Sequence, residues 1–146
     1  MLLMMKILLL CLALATAPLH ASEVWSTDYQ ASLETAASAK KPVLLEFTGS
    51  DWCPPCIKQN KDVFEQAAFL DFAKDKLVLV KLDFPRSKEQ AADIKARNKD
   101  LATKYSVEGF PTVILLSPDG KELAREVGYS GSGASGFISW VDNSLK

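Results

Sequence analysis

The apolar run Val43-Leu44-Leu45-Glu46-Phe47 constrains the fold of this chain more than any other feature. It shows no polar–apolar alternation and Gly49 closes it, which fits a central strand buried on both faces. Leu77 to Leu82, rich in Val and Leu, repeats the pattern. A helix from about Pro54 to Lys74 separates the two, and strand, helix, strand predicts a parallel crossover. Glu46 is the exception inside the first run.

The other elements follow from spacing and turn chemistry. Ser26 or Thr27, after Trp25, is placed to cap a helix with apolar positions Tyr29, Leu33, Ala36 and Ala37, ending near Lys41 before Pro42. Ser87 with Gln90 three residues later reads as a capping box. The helix it opens carries Ile94, Leu101 and Tyr105 on one face and ends at Val107 to Gly109. Thr112 to Leu116 is a third apolar strand, Ser117-Pro118-Asp119-Gly120 a tight turn, and Glu122 to Val127 the hairpin partner. Past a glycine-rich loop, Phe137, Trp140, Val141 and Leu145 form the buried stripe of a last helix. Trp25 and Trp140 are assigned to the core. Lys58, Lys61 and the charges from Lys88 to Lys99 are assigned to solvated helix faces.

The first residues read as an address rather than as part of the fold. Lys6 precedes an apolar run from Ile7 to Ala17, and small residues end at Ala21, where cleavage is expected. The run is about half the roughly 20 residues needed to cross a bilayer. Cys11 lies inside it, but Leu10 stands where lipid attachment wants a small residue. Residues 1–21 are thus a signal peptide, and residues 22–146 one domain with one core. Without the leader the chain keeps 16 basic and 18 acidic residues, a net charge of −2 that gives no electrostatic reason for nucleic acid. Cys11 and the one histidine, His20, also go, leaving two cysteines and no histidine.

Those two cysteines, Cys53 and Cys56, allow a redox couple, a structural bridge, half of a zinc site or a haem attachment. Haem attachment wants His after the second cysteine, where Ile57 stands, and a zinc or copper site needs soft ligands the mature chain lacks. As a staple, so small a ring restricts the unfolded chain by only about 2 kcal/mol. Redox and structural roles remain, and position favours the first. Cys53 falls where a buried strand has ended and a helix begins, so dipole and free N–H groups favour its thiolate. Cys56, one turn further in and more buried, is placed to resolve a mixed disulfide at Cys53. Pro54 and Pro55 remove two N–H donors, no His lies between the cysteines, and Asp51 is near. All three features argue against a very low thiol pKa and against a strong oxidant.

The segments Glu46-Phe47-Thr48-Gly49-Ser50-Asp51-Trp52-Cys53-Pro54-Pro55-Cys56 and Val107-Glu108-Gly109-Phe110-Pro111-Thr112 resemble the active site and cis-proline loop of thioredoxin-fold proteins, particularly exported bacterial members. The resemblance spans about Trp25 to Leu145. It implies an α/β thioredoxin-like fold, with a central mixed sheet flanked by helices, an N-terminal helix and an inserted helix before the cis-proline strand. It implies that Pro111 has a cis peptide bond beside the cysteines, with the Phe110 backbone free to pair with a substrate peptide; cis bonds are largely confined to X–Pro. It also places Glu46 as the buried acid beneath the disulfide, with Lys81 as its partner, and Trp52 as the shield and contact surface ahead of Cys53. Burial would raise the Glu46 pKa and suit it to take the Cys56 proton. The family usually has Asp here, and one extra residue separates Glu46 from Cys53 compared with thioredoxin itself. A Glu–Lys pair tolerated at the sheet margin is the bland reading of Glu46 and Lys81.

The expected function is an exported thiol–disulfide oxidoreductase, periplasmic or extracellular, acting on disulfides of protein substrates as reductant or isomerase. Cys53, Cys56, Glu46 and Lys81 are the expected catalytic set, with Trp52, Pro54, Pro55, Phe110 and Pro111 as substrate contacts. No cofactor and no metal is expected. The partners are protein thiols and disulfides plus a membrane or soluble thiol electron donor, and the chain is expected to act as a monomer. A redox-inert binding or chaperone-like module with a closed bridge is the alternative, since fold alone does not fix function. A dedicated reductase of apocytochrome or metal-site thiols shares the chemistry and differs in partner.

Overall fold

Successive side chains of a strand point to opposite faces, so a run apolar at every position needs cover on both sides. A computed structural model describes residues 24–146 and shows that cover. The expected signal peptide, with Cys11 and His20, lies outside the described residues. Five strands, β1 (Trp25–Ser26), β2 (Val43–Thr48), β3 (Val78–Asp83), β4 (Thr112–Leu116) and β5 (Glu122–Val127), form one mixed sheet in the order β1-β3-β2-β4-β5. β2 runs parallel to β3 and antiparallel to β4, so the parallel crossover and the hairpin both form as expected. The helices are α1 (Tyr29–Ala39), α2 (Pro54–Gln59), α3 (Ala67–Lys76), α4 (Ala92–Lys104) and α5 (Gly133–Ser144).

Period two decides which helices cover which face. Val43, Leu45 and Phe47 of β2 pack with Tyr29 and Ala36 of α1 and Leu101 of α4. Leu44 points the other way, with Val63, Phe64, Phe69, Phe137 and Val141. Glu46 shares the parity of Leu44, and Lys81, its register partner in β3, shares that of Leu79 in the same cluster. Both are therefore directed to the side where α2 begins.

Several expectations are corrected. Trp25 and Ser26 form an edge strand paired with Leu79 and Val80 instead of leading into a helix cap. The cap is Asp28, whose carboxylate accepts the Ala31 N–H at 3.1 Å, while the Ser26 hydroxyl is occupied by the Asp28 N–H. Ala37 and Leu145 are exposed, and Ser32 takes the buried α1 position. The helix expected from Pro54 to Lys74 is broken. Residues Asn60–Phe64 are π-helical, with the Glu65 N–H reaching Asn60 O, and Gln66 is extended before α3 starts. The Ser87–Gln90 capping box does not form. α4 starts at Ala92 behind Ala91, which makes no side-chain cap bond, and both polar residues are drawn elsewhere, the Ser87 N–H to Asp51 and the Gln90 amide to Asp83 O. Lys88 consequently lies on a loop and not on a helix face. Trp25 and Trp140 are half-buried, each packed on the aromatic cluster around Phe64, Phe69 and Phe137.

Candidate active site

β2 runs out at Thr48, and the chain turns through Gly49 to Trp52 into α2. Cys53 is the N-cap of that helix, with extended backbone angles, and its own N–H is held by Gly49 O at 3.0 Å. Cys53 and Cys56 are disulfide-bonded, with Cα atoms 5.2 Å apart. Pro54 and Pro55 fill the first two helical positions, so the N–H directed at Cys53 Sγ is that of Cys56, at 3.4 Å. Cys56 Sγ in turn receives the Gly49 N–H at 3.5 Å. Cys53 is 3 % exposed and Cys56 1 %, so both sulfurs are more enclosed than a helix start alone suggests.

The Phe110–Pro111 peptide bond is cis and lies beside the pair. Cys53 Sγ is 3.8 Å from the Phe110 carbonyl oxygen, which can accept a hydrogen bond once Cys53 is a thiol. Thr112 fastens this corner through its hydroxyl to Gly109 O at 2.7 Å.

Glu46 is 1 % exposed in the middle of the central strand, not at the sheet margin. Lys81 Nζ lies 3.6 Å from its Oε2, an ion-pair distance just outside hydrogen-bond range, and that oxygen has no other partner among the described residues. Burial pushes the Glu46 carboxyl up to about 7; Lys81 opposes this in part and Asp83 adds to it. Glu46, Lys81 and Cys56 line one cavity of about 380 Å³, together with Thr48, Ser50, Asn60, Asp83 and Lys88. The carboxyl and the inner sulfur thus share a polar space. Asn60 reaches it because the π-helical segment begins there, and its Oδ1 accepts from Lys81 Nζ at 3.5 Å.

Trp52 is half-buried. Its indole N–H donates to Phe84 O at 2.7 Å, and its ring meets Phe110 edge-on at 6.0 Å. A Cβ at Gly49 would fall 2.5 Å from the indole, so the ring needs glycine there. Pro54 and Pro55 are exposed beside the disulfide. The structure therefore brings all nine residues singled out from the sequence into one region. Sequence reasoning missed Asn60 and Asp83, and it noted Asp51 without its role as an anchor for the loop after β3. Asp83 had a signal: it lies two positions beyond Lys81 on the same strand, hence on the same face.

Comparison with known proteins agrees with this geometry. The model of the thioredoxin-like domain matches residues 29–142. The disulfide bond reductase DsbH of Chlamydia pneumoniae is 35% identical over 131 residues, covering 90% of this chain and 78% of that protein. The thioredoxin-related protein DsbJ of the same organism is 36% identical over 125 residues, 81% of this chain but 35% of its own length. A solved DsbH oxidoreductase structure superposes with a TM-score of 0.77 at 36% identity, covering 83% of each chain. With the cysteine pair at the helix start and the sheet order in place, the chain belongs to the thioredoxin-like family of thiol–disulfide oxidoreductases.

Proposed function

We propose that this domain reduces disulfides in exported proteins. In the reduced enzyme, the Cys53 thiolate attacks one sulfur of a substrate disulfide and the other substrate sulfur leaves as a thiolate. Cys56 then gives its proton to Glu46 and attacks Cys53 Sγ. The second substrate thiolate is released and the Cys53–Cys56 disulfide closes. Two electrons pass to the substrate, whose two thiolates take up protons from water while Glu46 releases the proton it took from Cys56, and an external dithiol donor, membrane-bound or soluble, restores the enzyme. Phe110, Pro111, Trp52, Pro54 and Pro55 form the contact surface, and Lys81 holds the charge balance at Glu46. Residues 1–21 direct export and are removed after Ala21, which places the work in the periplasm or outside the cell.

The observation that carries the direction of electron flow is the thin supply of donors at Cys53 Sγ. With Pro54 and Pro55 ahead of it, the Cys56 N–H is the donor that α2 directs at this sulfur. Weak stabilisation of the thiolate makes the dithiol form a better electron donor. The relative named a disulfide bond reductase supports the same direction.

The deciding measurement is the reduction potential of the Cys53–Cys56 couple. A value near about −270 mV marks a reductant, whereas one near about −120 mV marks an oxidase and overturns the proposed direction. A bridge that resists reduction below about −300 mV is structural. For the individual roles, Cys53→Ser is expected to abolish turnover and Cys56→Ser to accumulate mixed disulfides with substrate, detectable on non-reducing gels. Loss of activity in both without trapping would reject the division of labour.

A further inference from the structure

The chain between β3 and α4 passes directly over the residues that precede Cys53. Asp51 accepts the N–H groups of three consecutive residues there, Arg86 at 2.9 Å, Ser87 at 2.8 Å and Lys88 at 2.9 Å. Trp52 holds Phe84 O, and Lys88 Nζ reaches back to Ser50 Oγ at 3.1 Å. So many anchors on an exposed loop fix its backbone, and they fix what its side chains present.

Arg86 is what they present. Its guanidinium carbon lies 3.5 Å from the centroid of the Trp52 ring. Trp52 meets Phe110, and the Phe110 carbonyl oxygen is 3.8 Å from Cys53 Sγ, so the cation stands one aromatic contact from the sulfur–peptide corner. Stacking on the ring restrains the guanidinium while its in-plane N–H donors stay free. Among the described residues the Arg86 side chain has no hydrogen-bond or ion-pair partner: Asp51 is taken by backbone N–H groups and Asp83 by Ser50. The other flank of the disulfide is apolar, with Pro54, Pro55 and Ile57 exposed.

We propose that Arg86 selects substrates by pairing with a carboxylate next to the disulfide being reduced, so that the domain prefers protein disulfides flanked by Asp or Glu. A planar guanidinium matches a carboxylate through two parallel N–H bonds, and a cation restrained over a ring loses little freedom on pairing. The proposal rests on the reductase reading and names the substrate class for it. Because the pair forms at a solvent-exposed rim, the preference is expected to be about fivefold in kcat/KM and to shrink in high salt.

The test compares two disulfide-bonded peptides identical except for Glu or Gln flanking the cysteines. Wild-type protein is expected to favour the Glu peptide about fivefold, Arg86→Gln to treat the two alike, and Arg86→Glu to invert the order. Arg86→Lys keeps the charge without the fork and is expected to retain a smaller preference. Equal rates for both peptides with wild-type protein overturn the proposal. So does an Arg86→Gln variant that slows both by the same factor, since Arg86 would then act through Trp52 packing or the Cys53 thiolate. Reduction of neither peptide rejects the underlying reductase reading instead.

Discussion

Glu46 shows how one side chain takes its chemistry from its surroundings. Its folded-state pKa is raised from the ordinary 4.5 to about 7, with burial as the largest cause. The folded chain therefore holds a proton that the unfolded chain gives up. Stability on this account is fully present below about pH 4.5 and falls as pH rises through about 7, by up to about 3 kcal/mol. Glu46→Gln is expected to remove that slope, so that urea unfolding midpoints of the variant and parent converge below about pH 4.5, draw apart between there and about pH 7, and keep a constant gap above it. Parallel midpoints at every pH would show that Glu46 has an ordinary pKa. In stopped-flow reduction, the same substitution is expected to flatten the rise in rate around neutral pH. Glu46 could be found in the sequence because an acid inside an apolar run contradicts its neighbours, and the cysteines because few side chains share their chemistry. Arg86 could not. Its place over Trp52 depends on the backbone contacts of Asp51 with residues 35 to 37 positions away, which no local pattern records.

Among the elements, those with a strong period formed where the sequence put them, and the differences arose where tertiary bonds outbid local ones. β2, β3, β4 and β5 stand within a residue of their expected spans. Ser87 and Gln90 have the spacing of a capping box, yet Asp51 and Asp83 O bind these positions as a loop and delay α4 to Ala92. The break after α2 was hidden for another reason. Val63 and Phe64 are adjacent and both fully or nearly buried, which a π-helical turn permits, while a period of 3.6 read from composition simply continues the helix. The loop after β3 gives a prediction of its own. The three N–H bonds hold the Asp51 carboxyl below its usual range, so docking of residues 84–88 persists in mild acid and is lost only as pH falls through that lowered value. Asp51→Ala is expected to raise amide exchange at residues 86–88 by about tenfold or more with the sheet unaffected, read by hydrogen-exchange NMR. Unchanged protection would mean the loop is held by other contacts.

Across the whole molecule the sheet divides two apolar layers, one under α1 and α4 and one under the π-helical segment, α3 and α5. Phe137 ties α5 to the second layer through Phe64 and Phe69 at centroid distances of 5.3 and 5.8 Å. Phe137→Ala is expected to lower the unfolding free energy by about 3–5 kcal/mol in urea denaturation, and a loss under about 1 kcal/mol would show that α5 folds apart from the rest. The two-layer plan was legible because every central strand is apolar on both faces. β1 was not, since two residues carry no period, and its pairing with β3 is visible only in space. The redox ring spans three positions inside the first turn of α2, and no other element lies within it. Opening it is expected to leave the layers behind unchanged, so that amide spectra of the oxidised and reduced forms differ only around Cys53, Cys56 and the Phe110–Pro111 corner. Under the proposed function, donor and substrate are then told apart by charge at the rim and by the buried proton of Glu46, not by a moving part.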